Sequence, residues 1–241
     1  MKIALLCHGQ PRFTNAFIIM MNQLKGFSQA DMYMGLWSTP WAPNEAAFRA
    51  MAEPAMAPGY NLKRVLITPQ PDYKLPNPKL EHNTEEPESV RYWYKRRWSM
   101  WRSLKMTYDL IDEDYDMIIK FRPDGRLDRE VDVNSVDLTH DMVYPSNHRN
   151  GLAEMRLCDQ FLFASPKGMK FYADLTNHFD DYIFKLNPNW EYDVHGQWSS
   201  EHILGYHMLS NNKQQCVGDY QHLLRVDGIS PNDDKWYTGP R

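Results

Sequence analysis

The chain has 241 residues, a net charge of −4, 42% hydrophobic residues and 13% aromatic residues. This excludes a disordered chain and allows one large domain or two small ones, with a core that needs no staples. The acidic balance argues against a nucleic-acid-binding protein, which is usually basic.

The three cysteines, Cys7, Cys158 and Cys216, are odd in number and far apart. They offer neither a disulfide framework nor a CxxC metal pair, so buried free thiols in a reducing compartment are expected. The first apolar run, Ile3 to Cys7, is too short for a signal sequence, and no stretch approaches ~18 apolar residues. The expectation is a soluble, cytoplasmic protein, with at most a peripheral contact to a membrane.

That first run reads as a strand followed by a loop, His8-Gly9-Gln10-Pro11-Arg12, and a helix over 15–25. Gly9 would let the backbone approach a diphosphate, or simply make an ordinary strand–helix turn. No GxGxxG follows, so a dinucleotide fold is not expected. Further strands are predicted at 31–37 and 64–67, with a helix at 44–56 between them. Residues 71–87 carry several prolines and read as a long loop.

The longest helical pattern is 88–113. Trp93, Arg97, Met100, Trp101, Leu104, Tyr108 and Ile111 share a face that should be mostly core. Its first half also carries Arg91, Lys95, Arg96, Arg97 and Arg102. These make either a solvated basic face or a source of guanidinium groups for phosphate.

Residues 116–121 form an apolar strand that meets Arg122-Pro123-Asp124-Gly125-Arg126. Proline removes a ladder donor there, so the strand should stop and present a carboxylate between two arginines. Ligands of open α/β sheets bind beyond such carboxyl ends. A short strand at 142–144, a strand at 158–164 beginning with Asp159 and Gln160, and helices at 166–179 and 201–209 follow. Strand-like pieces lie after residue 215. The order predicts a single α/β/α sandwich, Rossmann-like, with a mixed central sheet.

Three stretches carry a resemblance: the first strand ending in GQPR, the block RYWYKRRWSMWRSLKMTYDLI with YDMIIKFRPDGRL, and LCDQFLFASPKGMKFY. In this order and spacing the chain resembles GT-A-type nucleotide-sugar glycosyltransferases, and among them a loosely defined bacterial and viral group acting on surface polysaccharides. The resemblance implies one domain over 1–241, with a nucleotide-sugar-binding half at 1–128 and an acceptor-binding half at 129–241. It implies transfer of a sugar from a nucleoside-diphosphate sugar, a UDP-sugar favoured, to a saccharide or other hydroxyl acceptor, assisted by Mn²⁺ or Mg²⁺. His8, Gly9, Gln10, Arg12, Arg97, Arg122 and Arg126 would bind the donor.

In such enzymes a DxD motif at a strand end holds the ion. Here the matching position reads Arg122-Pro123-Asp124, with one carboxylate where two are usual. Asp124 is the expected ligand, with His207 as a late histidine completing the shell; His195 and His202 are the alternatives. Asp128 is a second ligand only if the loop turns back; otherwise the arginines share the metal's work. An Arg–Asp pair of purely structural use fits the same residues.

Asp159 is the expected general base of an inverting enzyme, with Glu201 in its place or on the acceptor. Gln160 would bond sugar hydroxyls, and Trp198 would stack on a sugar ring, as Trp190 or Trp236 would. Two other functions fit a carboxylate at a strand end. One is a metal-dependent nucleotidyltransferase or phosphohydrolase; the other is a degenerate sugar-nucleotide- or carbohydrate-binding module.

Overall fold

Ile3 to Cys7 is apolar on both sides of the pleat, which suits a strand covered by helices on both faces. It forms β1 (Ile3–Gly9) at the centre of the molecule, buried almost throughout. The computed structural model describes residues 1–11, 15–72, 87–123, 125–127, 130–145, 161–186, 200–211, 218–220 and 224–226. After β1 come α1 (Asn15–Gln23), β2 (Leu24–Lys25), β3 (Ala30–Trp37), α2 (Glu45–Ala52), β4 (Tyr60–Thr68) and α3 (Pro87–Tyr108). The chain continues through β5 (Met117–Phe121), β6 (Gly125–Leu127), β7 (Val131–Asp132), β8 (Met142–Pro145) and β9 (Phe161–Ala164). It then runs through α4 (Pro166–Leu186), α5 (Ser200–Ser210), β10 (Gly218–Tyr220) and β11 (Leu224–Val226).

The central sheet has seven strands in the order β10-β8-β9-β5-β1-β3-β4. β5, β1, β3 and β4 run parallel, while β9 is antiparallel to both β5 and β8. One face carries α3, α4 and α5 over Ala4, Leu6, Ile118 and Leu162. The other carries α1 and α2, through Phe17, Met20 and Phe48, over Ile3, Leu5, Met34 and Ile119. This is the Rossmann-like, mixed-sheet α/β/α sandwich the sequence predicts.

Several elements differ from the sequence reading. β4 begins at Tyr60, not at residue 64, because this edge strand mixes buried, half-buried and exposed positions and lacks a continuous apolar run. α3 stops at Tyr108 rather than 113. Leu110 N bonds Thr107 O and Ile111 N bonds Tyr108 O, which tightens the last turn and closes the helix. α4 runs on to Leu186. Its start is capped by Ser165, whose Oγ accepts the Gly168 N–H at 3.0 Å and donates to Asp141 Oδ1 at 2.8 Å. The expected loop at 71–87 falls mostly outside the described residues.

The buried face of α3 is the largest departure. Tyr94, Trp101 and Leu104 are buried as apolar residues should be, but so are Ser99, Ser103 and Thr107. The hydroxyl stripe lies against β1 and β3, where Gly35 leaves room for it. Trp93, expected on the core face, has a side chain outside the described residues. Arg97, Met100, Tyr108 and Ile111 are only half-buried.

Candidate active site at the carboxyl ends of β1 and β5

The strand order reverses at β1. After β1 the chain builds outward through β3 and β4, then returns to place β5 on β1's other side. The crevice beyond the carboxyl ends of β1 and β5 is therefore the topological switch point, where ligands of open α/β sheets bind. β1 ends in His8 and Gly9; Gly9 has φ +98°, the left-handed region that glycine enters without a Cβ penalty. β5 ends at Phe121 and leads to Arg122.

Leu6 lies opposite Lys120, and Cys7 opposite Phe121. Continuing that register brings His8 level with Arg122. Ala4, Leu6 and Ile118 belong to the core under α3 and α4, so pleat alternation puts His8 and Lys120 on that side. Lys120 is only 1% exposed, inside an otherwise apolar strand. Its Nζ lies 5.9 Å from the centroid of the Tyr172 ring, and Tyr172 packs on Trp101 at 5.2 Å. A buried ammonium is costly unless something compensates its charge, and the Tyr172 ring face contributes to that.

His8 is 4% exposed, and its Nδ1 meets Ser103 Oγ at 2.9 Å. Burial, with the positive charges of Lys120 and Arg122 nearby, holds its pKa well below the ordinary imidazole range. It is a neutral histidine at pH 7. A further polar chain closes one side of the crevice. Gln10 Nε2 donates to Gln70 Oε1 at 3.1 Å, and Gln70 Nε2 donates to Ser99 Oγ at 2.8 Å. These bonds join the loop after β1, the end of β4 and the first half of α3.

The expected site residues fall into three groups. His8, Gly9, Gln10 and Arg122 come together at this crevice. Arg97 is half-buried on the stripe of α3 that carries Trp101 and Leu104, and exposed Arg96 lies one turn before Ser99 on the stripe facing β1. Arg12, Asp124, Asp159, Gln160 and Trp198 lie outside the described residues, as do His195, Asp128, Trp190 and Trp236. The side chains of Arg126 and Glu201 do too, although their backbones belong to β6 and α5. Phe161, the residue after Gln160, pairs with Phe121 at the end of β5.

His207 is not at the crevice. It is 2% exposed between α4 and α5, with Nε2 donating to the Phe171 carbonyl at 2.9 Å and Nδ1 2.9 Å from the Tyr182 hydroxyl. Its ring stacks on Phe171 at 4.1 Å. Burial lowers its pKa to about 4. The one lone pair left to its neutral ring already takes the Tyr182 hydroxyl, so the side chain works as a clamp between two helices and not as a metal ligand.

Sequence reading missed Lys120, Ser99, Ser103 and Gln70. Lys120 was legible in principle, as a lone cation inside the run Met117-Ile118-Ile119-Lys120-Phe121. The described residues at the crevice include His8, Gln10, Gln70, Ser99, Ser103, Lys120 and Arg122, while Asp124, the expected metal ligand, lies outside the described residues. Among the described residues no group of three or more His, Cys, Asp or Glu is placed to hold a metal. No described helix is long and apolar enough to cross a membrane.

An acidic cavity lies at the opposite, amino end of the sheet, lined in part by Asp109, Asp112, Glu113 and Asp114. Some of its carboxylates tie the fold: Glu113 pairs with Lys2 at 2.6 Å and with Lys63, and Arg64 pairs with Asp112. The two salt bridges hold the Glu113 carboxyl down at about 2.

No known protein family matches the sequence, and no curated protein does. Among solved structures, the chain is similar to mouse xyloside xylosyltransferase 1 in its apo form, with a TM-score of 0.42 and 7% identity over 91% of this chain and 85% of that one. A likeness this distant carries no argument about activity.

Proposed function

We propose that the chain is a glycosyltransferase that moves a sugar from a nucleoside-diphosphate sugar, a UDP-sugar favoured, to a hydroxyl of a saccharide acceptor. The observation that carries this reading is the cationic crevice at the switch point, with Lys120 buried and Arg122 beside neutral His8. Glycosyl transfer breaks the bond between the anomeric carbon and a diphosphate oxygen. The electron pair stays on the leaving diphosphate, so fixed positive charge there stabilises the transition state. A cation held in a low-dielectric site before the ligand arrives is suited to that work.

In this reading the segment over 1–128 binds the donor and that over 129–241 the acceptor. Gln10, Gly9 and Arg12 flank the donor. Arg122 and Arg126 share the phosphate charge with Lys120, and Arg97 supports them from α3. Asp159 takes the acceptor proton in an inverting transfer, with Glu201 the second choice, and Gln160 and Trp198 hold the acceptor sugar. Mn²⁺ or Mg²⁺ at Asp124 remains the expectation from the resemblance. His207 is left out of that shell, and no step is routed through the ion.

The test is a thermal-shift panel of UDP, GDP, CDP and TDP, with and without Mn²⁺, followed by hydrolysis of the matching sugar donor. A stabilising shift with one diphosphate and slow donor hydrolysis support the transferase. Asp159→Asn should spare donor binding and abolish transfer. Binding without any hydrolysis or transfer points to a sugar-nucleotide-binding module, and no shift with any nucleotide overturns the reading.

A further inference from the structure

The chain returns to the end of β5 a second time, through its last two strands. β8 is antiparallel to β9, and β9 to β5, so β8 runs in the direction of β5. β10, at the outer edge of the sheet, is parallel to β8. The chain therefore leaves β10 on the side of the sheet where β1 and β5 end. Residues 221–223 lead on to β11, which pairs with β6 and not with the main sheet. β6 begins at Gly125, just past Arg122 and Pro123. The C-terminal segment thus passes from the sheet edge to a strand beside the end of β5.

The two strands of this small sheet are held differently. Leu127 of β6 is fully buried in the core that α1 closes, and its carbonyl accepts a bond from Gln23 Nε2. β11 is only Leu224–Val226, and a two-stranded ribbon this short is marginal by itself. Its register pairs Leu224 with Leu127, Arg225 with Arg126 and Val226 with Gly125. Like charges at directly opposed positions weaken an antiparallel pair. An anion of two or more charges taken up at both positions reverses that effect, because guanidinium groups match phosphate oxygens.

We propose that β11 is a strap that closes on the diphosphate of the donor, and that Arg225, registered opposite Arg126, is a donor-binding residue. The proposal rests on the glycosyltransferase reading above. It brings one residue of the 129–241 segment to the donor side and makes closure of the strap depend on the ligand's charge.

The experiment is hydrogen exchange read by mass spectrometry on the full chain, alone and with UDP, inorganic pyrophosphate or uridine. Calorimetric titration of UDP into the unaltered chain and into Arg225→Gln accompanies it. UDP and pyrophosphate should slow exchange at 224–226, and uridine, which has no phosphate, should not. Arg225→Gln should bind UDP about 10- to 100-fold more weakly, the range of one hydrogen bond to a charged group. Without ligand, that variant should exchange at 224–226 no faster than the unaltered chain, because a like-charge pair is gone.

UDP that binds without slowing exchange there, or that binds Arg225→Gln with equal affinity, overturns the strap and leaves a nucleotide donor standing. Faster exchange at 224–226 in the free variant gives Arg225 a structural part alone and overturns the strap too. Slowing by pyrophosphate and by no nucleoside diphosphate leaves an anion site only and overturns the donor assignment. Binding of no nucleoside diphosphate overturns the glycosyltransferase reading as well.

Discussion

Thr107 lies so close to Gly35 that a β-carbon on residue 35 would collide with Thr107 Oγ1. It would also stand 3.1 Å from the Thr107 backbone nitrogen and 3.2 Å from the Ser103 carbonyl. Two of these three atoms are backbone of α3, so a larger residue must push the helix off the sheet. Gly35→Ala should destabilise the fold by about 1–3 kcal/mol, the usual cost of overpacking. Chemical denaturation would measure it. Because α3 carries Ser103, the same variant should also disturb the His8 imidazole signals in NMR. Unchanged stability would mean that α3 yields without cost.

The start of α4 depends on one hydroxyl. Ser165 Oγ satisfies an otherwise orphaned N–H in the first turn and binds the Asp141 carboxylate, while its backbone N–H bonds the Asp141 carbonyl at 2.8 Å. Ser165→Ala should cost about 0.5–2 kcal/mol. Ser165→Asp should cost more than alanine, since it sets a second carboxylate against Asp141. Urea unfolding of the three chains would rank them, and aspartate proving as stable as serine would contradict the local electrostatics.

His207 gives a pH dependence with a definite sign. Its pKa falls from 6.5 to about 4 on folding, with burial the largest cause. Between those values the unfolded chain holds a proton at this site and the native chain does not. Stability is therefore lost as pH falls from 6.5 towards 4, at roughly 1.4 kcal/mol per unit for this one group, and levels off below. His207→Phe removes the titration but leaves the Tyr182 hydroxyl and the Phe171 carbonyl without their present partner. At pH 7 it should cost about 1–3 kcal/mol. The gap to the unaltered chain should shrink as pH drops to 4.5. A constant gap across that range would show that His207 does not titrate as described.

Strands buried on both faces were legible in the sequence because nothing in them interrupts the apolar run. β1, β3 and β5 all announce themselves in this way. The half-exposed β4 was under-read for the opposite reason. The face of α3 was misread more instructively. Ser99, Ser103 and Thr107 look like solvent positions in a hydrophobic pattern, yet they are the residues that touch the sheet. Only a partner across the interface, Gly35 for Thr107 and His8 for Ser103, makes a hydroxyl preferable there.

The candidate crevice was legible through Gly9, Gln10 and Arg122, which flank strand ends. Lys120 was hidden because a charged residue inside a strand reads as an edge or an exception, not as a buried cation. His207 looked like a ligand because a late histidine has the right chemistry. Its neighbours Tyr182 and Phe171, far away in sequence, are what give it a packing role.

The central claim is that the charge at the ends of β1 and β5 exists to receive a donor diphosphate, and Lys120 tests it most directly. Lys120→Met keeps the length of the side chain and removes its charge. The measurement is calorimetric titration of UDP into the unaltered chain and into Lys120→Met, alongside their melting temperatures. The account predicts that a variant still folded at the titration temperature has its affinity for UDP lowered about 10- to 100-fold. Equal affinity for UDP in the two chains would contradict it.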